Sequence, residues 1–131
     1  MIDINYERGI QLLRQAAQGR ETFVYIKSEG YGYCAYVLDG KPSCLIGCAL
    51  VLAGVPIERF DERVNTCRIS ATVIDDNNQE LTVPEYLGVN LTHKALMLFS
   101  AAQGKQDNGM AWGDAIYYAI SETSHIEEST E

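Results

Sequence analysis

With 131 residues, 47% of them apolar and 21% charged, the chain has the length and composition of one globular domain, which excludes disordered and fibrous classes. The formal net charge of −8 comes from one half: residues 1–68 hold eight acidic and eight basic side chains, and residues 69–131 hold ten acidic ones against Lys94 and Lys105. Such a half repels phosphate, so nucleic acid and anionic membranes are disfavoured and a basic protein partner is expected, although an acidic surface also serves solubility alone.

Residues 1–7 lack a basic stretch followed by an apolar one, so a cytoplasmic protein is expected. Over residues 3–18, Tyr6, Ile10, Leu13 and Ala17 recur at helical spacing between polar residues, and Gly19 is placed to end that helix. Residues 22–27 and 33–38 are rich in β-branched and aromatic side chains and are joined by a loop with two glycines, which predicts an antiparallel hairpin.

The run over residues 42–57 is uncharged for 16 residues and contains Pro42, Gly47, Gly54 and Pro56. A membrane span needs about 20 apolar residues, so this is instead a core helix over residues 44–53, capped by Ser43, closed by Gly54 and apolar on every face. A short helix over residues 56–64 is expected next, with Ile57, Phe60 and Val64 on one side. Residues 68–74 suit a strand and residues 75–79 a polar loop, and Pro84 argues against a long strand beyond it.

Thr92 is placed to cap a helix with Leu91, Ala95, Leu98, Phe99 and Ala102 on one face, stopped by Gly104 or Gly109. Trp112, Ala115, Ile116, Ala119 and Ile120 form the stripe of a last helix, expected to pack antiparallel to the preceding one. The expected organisation is a single domain over residues 1–120 and a disordered acidic tail over 121–131. Its fold class is α+β: mainly helical, with a two-stranded antiparallel hairpin packed on the central buried helix.

Cys44 and Cys48 lie four apart on one face of that helix, with Cys44 in the first turn, where the helix dipole lowers a thiol pKa. They are the candidate reactive thiols of a thiol-dependent enzyme or redox sensor. The base would have to be His93 or His125, and cysteine is also an ordinary small core residue, so no catalytic residue is assigned. Cys34, Cys44, Cys48 and Cys67 contain no Cys-x2-Cys pair, and the glycine-containing segments match no phosphate-binding fingerprint; neither a metal nor a cofactor is expected.

Residues 49–60 resemble the helix-turn-helix of some bacterial repressors, with Ala-Gly-Val at the turn. The second helix would carry Glu58, Asp61 and Glu62 against Arg59 and Arg63, the wrong sign for DNA. Tyr25, Tyr31, Tyr33 and Tyr36 gather on the expected hairpin, with Tyr117 and Tyr118 on the last helix. The hairpin tyrosines, together with Asp107 and Asp114 of the acidic half, are the candidate binding residues, although tyrosines also suit a half-buried sheet.

Cys44-Leu45-Ile46-Gly47 opening an apolar helix that ends in Ala53-Gly54-Val55, followed later by Trp112-Gly113-Asp114-Ala115-Ile116, resembles small uncharacterised proteins of actinobacteria and their phages. The resemblance implies a phage or mobile-element accessory protein and carries no activity with it. The function expected is a non-enzymatic protein-binding accessory, phage-encoded, able to form a homo-oligomer and acting on a host protein. A thiol enzyme and a DNA-binding regulator are the alternatives.

Overall fold

The computed structural model of the chain describes residues 1–25 and 35–128. Ile2–Ile4 form a strand, β1, where a helix from Asp3 was expected. Asn5 decides the boundary: its backbone is extended and its side chain accepts the Arg8 N–H, so α1 spans Tyr6–Ala17. Ile4 points into the core, and α1 buries Gly9, Leu12, Leu13, Ala16 and Ala17.

Residues 22–25, expected to begin a hairpin strand, form none. The Glu21 and Phe23 carbonyls instead accept the N–H groups of Gly113 and Trp112, at 2.8 and 2.9 Å. The remainder of that hairpin, including Tyr31, Tyr33 and Cys34, lies outside the described residues. An antiparallel hairpin does lie against the central helix, but it pairs β2 (Val37–Leu38) with β3 (Lys41–Pro42). Asp39 and Gly40 both have positive φ, the geometry of a tight two-residue turn that Asp-Gly favours.

The central helix, α2, spans Leu45–Ala53. Its N-cap is Cys44, whose Sγ accepts the Gly47 N–H; Ser43, expected in that role, bonds the Tyr25 hydroxyl instead. Gly54 is left-handed and closes the helix, with Val55 N–H on the Leu50 carbonyl. Residues 45–50 are buried, whereas the last turn reaches the surface at Leu52, 44% exposed, so the helix is not enclosed on every face.

Two contacts fix α2 in place. A Cβ on Gly47 would sit 2.2 Å from the Tyr36 carbonyl oxygen, so only glycine admits the Tyr36 backbone, just before β2, at that distance. The buried Gln106 side chain accepts the Leu45 N–H at 2.7 Å, satisfying a donor of the first turn that has no intrahelical acceptor.

After α2 the expected helix over 56–64 is absent: Ile57–Arg59 make one 3-10 turn, Phe60 leaves helical geometry, and the Asp61 carbonyl takes the N–H groups of Val64 and Asn65. This irregular stretch is held by side chains. Asn65 pairs with both the N–H and the carbonyl of Val37, in the manner of a neighbouring strand. Gln103 accepts the Ile69 N–H and donates to the Tyr36 hydroxyl, which donates to the Cys67 carbonyl.

β4 (Thr72–Ile74) and β5 (Glu80–Thr82) form a second antiparallel hairpin, its loop held by the Asp75 carboxylate on the Asn77 and Gln79 N–H groups. Thr82 and Glu85 form a capping box for the short α3 (Val83–Tyr86), with Pro84 in its first turn. β6 (Val89–Leu91) pairs in parallel with β1, and Thr92 caps α4 (His93–Asp107) as its sequence predicts.

Gly109, not Gly104, follows the helix end, and α5 (Trp112–Thr123) packs on α4 and α1. Lys94, at the start of α4, donates to the Ser124 carbonyl at the end of α5, which sets the pair antiparallel. The boundary expected at residue 120 falls inside α5, and Thr123 is buried. The chain is thus a mainly helical α+β fold, in which α2 packs on α1 and α4. Among the described residues, no helix is long and apolar enough to cross a membrane.

Gly47→Ala should lower the unfolding free energy by about 3 kcal/mol or prevent folding, since the clash is with backbone. Gln106→Leu strands the Leu45 N–H and should cost about 2 kcal/mol. Urea denaturation followed by circular dichroism measures both; two variants as stable as the parent would show that neither contact fixes α2.

Candidate functional site

The structure separates the tyrosines that the sequence grouped. Tyr25 is buried with its hydroxyl 2.8 Å from Ser43 Oγ, and Tyr36 is fully buried in the glutamine network, its ring tilted against Phe60. Neither presents a binding surface, because each ring fills the core and each hydroxyl has an internal partner. Tyr31 and Tyr33 lie outside the described residues.

Tyr117 and Tyr118 are the exposed pair, at 67% and 49%, stacked edge to face with centroids 5.2 Å apart. They occupy the face of α5 opposite its buried Trp112, Ala115, Ile116 and Ala119. Asp114, also exposed, lies one turn before them in the first turn of α5, where the helix dipole favours a carboxylate. Asp107 is half-buried and accepts from the Gln106 side chain, so it belongs to the support of α2.

Beside Tyr117 runs an open groove of about 400 Å³ between α1 and α5. Ala17, Ile116 and Ile120 give it an apolar floor, Tyr117 forms a wall, and Arg14 and Glu21 flank it. Gly113 shapes one end: a Cβ there would meet Glu21 Cβ and its carbonyl oxygen at 3.0 Å, so α5 and residue 21 approach as closely as glycine allows.

Arg20, next to this groove in sequence, places its guanidinium 4.4 Å from the centre of the Trp112 ring and reaches Cys48 Sγ at 3.6 Å. Burial pushes the Cys48 thiol above its ordinary value of 9.0, and the Arg20 guanidinium offsets only part of that rise. Cys44 is fully buried with its Sγ engaged as the cap of α2. Cys67 bonds the Arg63 carbonyl, and burial raises its thiol as well.

The candidate thiols of α2 are not brought to His93. His93 is exposed at the start of α4, whereas α2 begins against Gln106 near its end, roughly 20 Å along the helix at about 1.5 Å per residue. Among the described residues, no cluster of three histidine, cysteine or acidic side chains could hold a metal ion. The helix-turn-helix arrangement also fails locally, because its second helix is a single 3-10 turn.

Two exposed polar pairs outside the groove serve the fold. Tyr86 donates to the Asp61 carboxylate at 2.5 Å, which raises its phenol pKa, and Arg63 pairs with Asp76 while donating to the Ile74 carbonyl. These contacts tie the stretch after α2 to the β4–β5 hairpin. No protein-family model, curated protein or solved structure matches the chain.

The thiols give a pH test. Since burial raises the Cys48 pKa, its thiolate fraction at neutral pH falls below that of a free cysteine, and its alkylation should be slower than a free cysteine's and still rising with pH beyond 9.0. In a Cys34→Ser background, iodoacetamide labelling read by peptide mass spectrometry should leave Cys44 and Cys48 unmodified at neutral pH. Rapid labelling of Cys48 there would restore a reactive-thiol function.

Proposed function

We propose that the chain is a non-enzymatic binding protein that docks a basic protein segment on the α1–α5 groove, with Tyr117, Tyr118, Asp114 and Glu21 as its contacts. The carrying observation is an apolar groove bordered by the exposed Tyr117 and by Glu21, with Tyr118 and Asp114 on the adjoining exposed face of α5. Aromatic faces and carboxylates together suit lysine and arginine side chains, whose alkyl stems cover apolar surface while their charges meet the rings and the acids.

Charge supports that occupant. Residues 69–131 contain only Lys94 and Lys105 as cations, and both are engaged. Lys94 holds the Ser124 carbonyl and lies 4.1 Å from the Tyr6 ring centre, and Lys105 pairs with Glu122. Asp114 therefore faces solvent without a neutralising lysine on α4 or α5, and a partner with Lys or Arg beside an apolar anchor complements it. Arg14, on the α1 wall, supplies one cation and favours a partner that presents an acid at that single position.

Selection from a random peptide library on the immobilised chain should enrich sequences with Lys or Arg flanking an aromatic or aliphatic residue. Tyr117→Ala should weaken the selected peptides by about tenfold or more, as expected for a truncated aromatic anchor. Asp114→Asn should weaken them less and flatten the salt dependence. Peptides without basic enrichment, or bound equally by both variants, would remove the proposal.

A further inference from the structure

Across the α1–α5 surface, charge and aromatic groups follow one another in a fixed order. Arg14 stands on the α1 wall, the apolar floor comes next, then Tyr117, and Asp114 lies on the adjoining outer face of α5. Arg14 and Asp114 are both exposed, and among the described residues neither takes part in an ion pair. Tyr117 is 67% exposed, with the Tyr118 ring edge to face against it.

A partner that complements this surface supplies a cation to Asp114, a carboxylate to Arg14 and an apolar or aromatic anchor between them. The surface itself presents those three groups, as Arg14, Asp114 and Tyr117. A patch that offers what it requires meets the condition for an isologous contact, in which residue i of one copy meets residue j of the other and j meets i. A two-fold axis passing midway between Arg14 and Asp114 exchanges the two positions. Both ion pairs then form at once, and the tyrosines of the two copies meet near the axis, where aromatic rings stack offset or edge to face. A wholly basic occupant would set like charge against Arg14, whereas a second copy meets it with Asp114.

We infer, resting on the groove reading above, that the α1–α5 surface closes on a second copy of this chain as a two-fold homodimer, with Arg14 and Asp114 paired across the axis. The net charge of −8 opposes this contact through long-range repulsion, which physiological salt screens beyond about 8 Å. Area sets its strength. An aromatic side chain buries roughly 150–250 Å² in full, and these tyrosines retain only part of that for a partner. The tyrosines thus cover a fraction of the roughly 1,200–2,000 Å² of a stable interface. The dimer is therefore weak and concentration-dependent, and a better-matched segment displaces it from the same groove.

Sedimentation equilibrium of the full chain at about 0.15 M salt, from micromolar to millimolar concentration, should show the mass rising from monomer to dimer. Tyr117→Ala should weaken that association by about tenfold or more. Arg14→Asp and Asp114→Arg should each remain monomeric, because either homodimer would set like charges together at both pairs. An equal mixture of the two should dimerise, since each variant supplies the charge that the other lacks. Circular dichroism establishes that the variants are folded, and should a reversal fail to fold, Arg14→Gln and Asp114→Asn carry the same comparison as weakened homodimers. A chain monomeric at every concentration, single variants that dimerise like the parent, or a mixture no more dimeric than its components would overturn the inference. Basic peptides bound by a chain that stays monomeric would overturn the dimer and leave the groove reading standing. Rescue in the mixture, with no basic peptide selected, would support the dimer and remove the basic partner.

Discussion

The hydrogen bond from the Leu45 N–H to the Gln106 side chain couples the start of α2 to the end of α4, and much of the molecule is arranged around that contact. An uncharged helix buried at its beginning cannot leave its first-turn donors to water. Gln106 takes one and Cys44 Sγ takes another. One turn earlier on α4, Gln103 applies the same chemistry to the Ile69 N–H and the Tyr36 hydroxyl. Tyr36 in turn lays its backbone on Gly47, so the hairpin, the central helix and the irregular stretch after it are fixed by two glutamines on one face of α4.

That dependence explains which parts of the fold were legible. α4 and α5 follow from apolar spacing and, for α4, from the Thr92 cap, and Gly54 marks the end of α2, because those signals are local. Gln103 and Gln106 continue the face of Phe99 and Ala102 at helical spacing, so their burial is written in their positions, though polarity alone argues against it. The β1–β6 pairing joins residues at opposite ends of most of the chain and rests on three-residue strands, which leave no local trace. Asp39-Gly40 is a turn sequence, but the β-branched and aromatic segments before it make a longer hairpin pattern that masks the short pairing of β2 with β3. Residues 56–64 had helical spacing, yet the Asp61 carbonyl and the Phe60 backbone broke the helix after one turn.

The candidate site was half legible for a related reason. A count of tyrosines cannot distinguish rings that fill a core from rings that face a partner. What separates them is the fate of the hydroxyl and the position on the helix. Tyr25 and Tyr36 have buried acceptors or donors, whereas Tyr117 and Tyr118 fall on the face of α5 opposite its apolar stripe, which a helical projection of residues 112–123 displays. Asp114 shares that face, while Asp107, equally acidic in sequence, is spent on the glutamine that supports α2.

The cysteines show how position can reverse the meaning of a residue. At a helix N-terminus the dipole favours a thiolate, provided the sulfur remains solvated enough to carry charge. Cys44 is fully buried and its sulfur accepts a backbone N–H, and Cys48, even beside the Arg20 guanidinium, is raised by burial. At Cys48 desolvation therefore outweighs the guanidinium, while the Cys44 sulfur is engaged as the helix cap, and both residues serve α2 as structure. What it supports is α1, packed along it and open to solvent at its two ends: one end meets α5 in the tyrosine-lined groove, and the other meets β6 and α4 where Glu128 sits. The polar and aromatic groups that this chain leaves exposed thus lie at helix termini and outer helix faces, and not on the buried helix where the sequence first drew attention.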